Sequence, residues 1–132
     1  MFRRRRLPPE LVAPASAFDG LIPALERARA GLLTSVPGTR LPGRPLAETL
    51  LQFEEELGVV RAAMDPWRVP ELEDVWAAAS AGLEDSLALA ERVRTDAPDL
   101  AGFEGLIGLV DALLAPLDAF AVAAERLRDL RR

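Results

Sequence analysis

Apolar residues recur along this chain at the three- and four-residue spacing of a helix, in four long blocks separated by proline and glycine. The clearest block is Leu46, Leu50, Phe53, Leu57, Val60 and Met64, at spacings of 4, 3, 4, 3 and 4. At 3.6 residues per turn these positions form one stripe, the seam of a helical bundle. Ahead of it, Phe18, Leu21, Leu25, Ala28, Leu32 and Val36 predict a first helix that begins near Ser16 or Asp19 and runs to about Ser35. Ser16 with Asp19 is a weakened capping box, and Pro23 should kink this helix or delay its start.

A third helix is expected from Pro70, with Leu72, Trp76, Ala79, Leu83, Ser86, Ala90 and Val93 along its seam. A fourth, the longest, runs from about Pro98 to Leu130 through Phe103, Leu106, Val110, Leu113, Leu117, Phe120, Ala124 and Leu127. The connectors Pro37 to Arg44, Asp65-Pro66 and Thr95 to Asp99 carry the turn chemistry. No segment alternates with period two, and only nine Val, two Ile and four Thr supply β-branching. The predicted fold is therefore all-α. Long helices with short connections pack as antiparallel neighbours, so residues 16–132 are expected to form one up-down-up-down four-helix bundle behind a basic, proline-containing N-terminal arm, residues 1–15.

Composition removes much chemistry. The 132 residues include no Cys, His, Lys, Tyr or Asn, whereas Ala, Gly, Arg and Pro make up 59 of them. Those four are read from GC-rich codons, which points to a bacterial genome of high GC content. Without His or Lys, a nucleophilic Ser or Thr lacks its usual base, and a Schiff base lacks its amine. Without Cys or His there is no structural zinc site and no Glu-x-x-His di-iron motif. What remains is carboxylate chemistry. Glu104, Asp111, Asp118 and Glu125 recur every seven residues, a ladder on one face with rungs about 10.5 Å apart, too far for two rungs to share an ion. The simplest account of the ladder is a solvated stripe. No cofactor, metal or small-molecule substrate is expected.

Two other patterns stand out. Ala101, Gly105, Gly108, Ala112, Ala115 and Ala119 form a small-residue face on the fourth helix. Gly inside a helix costs about 0.5–1 kcal/mol against Ala, so this face predicts a close backbone approach, as in a homodimer or a seat for a partner helix. The second pattern is charge. Residues 1–6 carry four Arg and residues 126–132 carry four Arg and one Asp, while residues 7–125 hold a net charge of −12. Antiparallel topology would gather Arg3, Arg4, Arg5, Arg6, Arg68, Arg126, Arg128, Arg131 and Arg132 at one pole, with Trp67 as a stacking or interfacial anchor for nucleic acid or anionic membrane. Arg40 and Arg44, ahead of the second helix, form a weaker anion site.

The four arginines at the start are followed by Leu7-Pro8-Pro9-Glu10 rather than an apolar run, and charge-free runs such as the nine residues Val75 to Leu83 are too short to span a bilayer. A cytoplasmic location is expected. The functional expectation is a non-enzymatic bundle acting through protein–protein association with itself or a partner. The alternative is an anion-binding module working through the arginine pole.

Overall fold

The computed structural model describes residues 7–34, 46–96 and 103–131, side chains at 96 and 103–106 excepted, and every regular element among them is helical. Helix α1 spans Pro9–Leu33, α2 Leu46–Ala62, α3 Glu73–Asp96, α4 Phe103–Leu114 and α5 Asp118–Leu130. A 3-10 turn, Ala115–Leu117, joins α4 to α5, so the two make one broken rod. Two further 3-10 turns, Asp65–Trp67 and Pro70–Leu72, carry the chain from α2 to α3. The result is a four-rod all-α bundle in which α1 packs on α2, α2 on α3, and α3 on the broken rod.

Helix α1 starts earlier than its periodicity alone predicts. Pro9 takes the first helical position, where a missing N–H costs nothing, and the Leu11 N–H donates to the Pro8 carbonyl at 2.9 Å. Residues 9–15 therefore belong to the bundle rather than to an arm, and Ser16 and Asp19 lie in mid-helix rather than at a cap. Pro14 and Pro23 both sit inside α1, each giving up one backbone bond. The helix continues through them because Leu11, Pro14, Ala15, Phe18, Leu21, Ala24, Ala28 and Leu32 are all buried along its inner face. Burial of side chains such as these, at about 1.5–3 kcal/mol for each large one, outweighs the lost bonds.

The α2 seam is buried as its spacing predicts: Leu50, Phe53, Leu57, Val60 and Met64 are all core residues. At its end the chain turns around Trp67, which is fully buried at the centre of an aromatic cluster. The Phe18 ring meets it edge-on at 4.9 Å, and Trp76 and Phe120 lie 6.4 Å away on either side. The cluster thus ties α1, the α2–α3 corner and α5 together. The Trp76 indole N–H donates to the Met64 carbonyl at 2.9 Å, which fixes the corner against the first turns of α3.

The break in the fourth rod is the largest departure from the continuous helix expected from Pro98 to Leu130. Pro116 has no N–H and its ring would strike the carbonyl one turn back, so the helix stops at Leu114 and resumes at Asp118. A proline in the middle of the stripe was the available signal. Helix α3 is shaped to receive the break. A methyl group on Gly82 would run into the Pro116 carbonyl, with its carbon at 2.9 Å. One turn further on, the fully buried Ser86 hydroxyl donates to the Leu113 carbonyl at 2.6 Å, one of the carbonyls that the end of α4 leaves without a helical donor.

The two glycines Gly82 and Gly58 should therefore respond oppositely to alanine. Gly58 on α2 has open space where a Cβ would go, so Gly58→Ala should raise stability by up to about 1 kcal/mol through helix propensity. Gly82→Ala should instead lower it by about 1–3 kcal/mol, because the added methyl forces α3 away from the Pro116 turn. Urea unfolding followed by circular dichroism measures both.

Candidate functional site

Among the described residues the bundle is not closed on its fourth side. Helix α1 touches α4 only lightly, and between α1 and the broken rod lies a groove of about 580 Å3. Its two walls are helical stripes. Ile22, Leu25, Glu26, Arg29 and Leu33 come from α1, while Asp111, Leu114, Ala115, Asp118, Ala121 and Ala124 come from the rod, with Leu117 and Phe120 at the floor. Phe120 belongs also to the aromatic cluster, so the groove opens from the point where that cluster brings α1 and α5 together. Ile22, Leu25, Leu114 and Leu117 are only half-buried, and Leu33 is 44% exposed.

Charge distinguishes this side from the others. Arg27 pairs with Glu56 across α1 and α2 at 3.0 Å. Arg61 pairs with Glu84 and Arg94 with Glu54 across α2 and α3, the latter through two bonds of 2.6 and 3.1 Å. Arg126 pairs with Asp74 across α5 and α3 through bonds of 2.9 and 2.7 Å. Along the groove, by contrast, Glu26, Arg29, Asp111 and Asp118 form no ion pair among the described residues. Two rungs of the acidic ladder, Asp111 and Asp118, thus line one wall of a groove. Glu125 is taken up by Arg128 at 3.3 Å. No group of three acids among the described residues is arranged to hold a metal.

The small-residue face divides. Ala119 packs against the core, Ala115 lines the groove, and Gly108 and Ala112 face solvent. Gly105 is placed in α4, and Ala101 lies outside the described residues. Among the described residues no close approach occurs at Gly108, where a Cβ would meet nothing; one occurs at Gly82 instead. A break at Pro116 rotates the faces on its two sides, so a stripe drawn through it does not stay on one side of the rod. Gly82 was detectable only as an interior helical glycine, since its partner is remote in sequence.

The arginine pole also changes. Trp67 is in the core with no exposed surface, so it is not a stacking or interfacial anchor. Its indole N–H has no hydrogen-bond partner among the described residues. Arg68 pairs with Glu73 at 3.0 Å and lies 4.1 Å over the Trp76 ring. Arg131 reaches Asp19 on α1 at 3.1 Å, and Arg126 and Arg128 are paired as described above. Each described arginine of the expected pole is therefore met by a carboxylate, which weakens it as a cradle for phosphate. Arg3, Arg4, Arg5, Arg6, Arg132, Arg40 and Arg44 lie outside the described residues.

The stretch Ile107–Leu130 is long and apolar enough, by length and composition, to cross a bilayer, although only 28% of its most apolar window is buried. Counting charge-free runs passes over it because Asp111 and Asp118 interrupt them. Comparison with protein-family models, with curated proteins and with solved structures gives no match to this chain.

The Arg126 guanidinium, hydrogen-bonded to Asp74, holds that carboxyl below the usual carboxylate range. A depressed folded-state value stabilises the native chain above the unfolded-state pKa, and that contribution is lost as pH falls through the folded value. In Arg126→Gln, the Asp74 midpoint followed by carboxyl NMR should rise toward the ordinary range. An unchanged midpoint would show that the pair does not persist in solution.

Proposed function

We propose that this protein works without catalysis, by association with another protein through the groove between α1 and the α4–α5 rod. The observation that carries the reading is the unfinished side of the bundle. Three sides are closed by packed seams, while among the described residues the fourth, tied by Arg131–Asp19 at one end, presents facing apolar stripes with unpaired charges at the rim. Clefts between the helices of a bundle are common places for a ligand or partner to enter. Half-buried Ile22, Leu25, Leu114 and Leu117 and exposed Leu33 on the two walls support the same reading, since apolar side chains left in a cleft mark binding sites. The missing His, Lys and Cys support the absence of catalysis.

The association surface differs from the one expected from the small-residue face. Ala115 is common to both, but Leu25, Leu33 and Leu114 line the groove and are not part of the small-residue face. Paired carboxylates at Arg68, Arg126, Arg128 and Arg131 make the anion-binding alternative the weaker one.

Site-specific photo-cross-linking in living cells tests the proposal. A benzophenone side chain placed at Ala121, exposed on the groove wall, should give a discrete protein adduct. The same group at Val59, 52% exposed on α2 and outside the groove, should not. Equal adducts at both positions, no protein adduct at either, or adducts at Ala121 with lipid alone would each overturn the reading.

A further inference from the structure

We infer that the groove accepts a positively charged amphipathic helix of a partner protein, with its apolar face on the floor and its cations against Asp111 and Asp118. This rests on the association reading above and adds the chemistry of what enters.

Shape narrows the occupant. The walls are two helices lying side by side, so the space between them is elongated rather than round. On α1 it runs from Ile22 to Leu33, about 16 Å at 1.5 Å per residue, or roughly three turns of a helix laid alongside. Apolar groups line its base and charged groups its rim, which suits an amphipathic helix whose anchors fall at every third and fourth position.

Charge then selects the sign. Among the described residues the rim carries three carboxylates, Glu26, Asp111 and Asp118, against the guanidinium of Arg29. Asp111 and Asp118 both line the groove, one on each side of the break at Ala115–Leu117. A partner helix with Arg or Lys along the facing flank would bring cations to both. Interhelical pairs of this kind fix partner choice and register more than they add affinity. Groove against groove, a second copy of this chain fits poorly, because Glu26, Asp111 and Asp118 of each copy would bring acid to acid.

The test uses three labelled 14-residue helical peptides with the same leucine stripe in an alanine background and either Arg, Gln or Glu along one flank. Binding to the full chain is read by fluorescence anisotropy at low and high salt. The Arg peptide should bind at least about tenfold more tightly than the Gln peptide, with an advantage that shrinks as salt screens the rim. Asp111→Arg with Asp118→Arg should abolish that preference. Glu55→Arg with Asp85→Arg makes the same change in net charge on exposed sites outside the groove, and should retain it. If the Gln or Glu peptide binds as well as the Arg peptide, the inference about charge fails while the groove remains an association site. The same holds if the remote pair of substitutions removes the preference as fully as the groove pair. If no peptide binds at millimolar concentration, both readings fail. The peptide series on the unaltered chain decides the charge question even if a substituted chain does not fold.

Discussion

Helix α3 and the broken fourth rod meet where Gly82 lies against the Pro116 carbonyl, and the space between them admits no methyl group. A proline inside an apolar helix would ordinarily be a liability, leaving carbonyls unsatisfied in the core. Here the Ser86 hydroxyl takes one of those carbonyls, and Gly82 lets the backbones come close enough for it to do so. Two small residues one turn apart on α3 thus fix where the rod breaks. Phe120 and Leu127 then reach the core, while the wall that carries Asp111 and Asp118 stands away from α1.

The open side follows from this geometry together with the aromatic cluster. Trp67 draws Phe18 of α1 and Phe120 of α5 to one centre, which closes the bundle near the α2–α3 corner. Beyond that point nothing comparable holds α1 to the rod among the described residues, and the gap between them has leucines on both sides. The ion pairs reinforce the asymmetry. They cross the packed seams, and the Arg131–Asp19 pair adds a link near the end of α5, but none spans the groove among the described residues.

Much of this was legible in the sequence because it depends on local spacing. The α2 seam from Leu50 to Met64 and the α3 positions Leu72, Ala79, Leu83, Ser86 and Ala90 are buried as their periods require. The start of α1 was not legible, because Pro14 and Pro23 argue against a helix locally while burial of Leu11, Pro14 and Ala15 overrides them. Pro116 was a readable signal, but its consequence lay in Gly82 and Ser86, some thirty residues away, and only folding brings them together. Trp67 misled for a related reason. Between two prolines it looks like an exposed loop residue, yet the corner folds inward and makes it the centre of the core. The acidic ladder was visible as a stripe, but nothing in a stripe says what lies across from it.

The rim of the groove has one further property. Near neutral pH, proteins usually change their electrostatic face through histidine, or through thiols and amines shifted into that range. This chain contains no His, Cys, Lys or Tyr; its ionisable side chains are carboxyl and guanidinium groups alone. Ordinary swings in cellular acidity therefore have no side chain of the usual switching types to act on, and the sign of the surface is built in rather than adjustable. On the proposed reading, control over what enters would come from competing ions, from the abundance of the partner, or from covalent modification, rather than from titration.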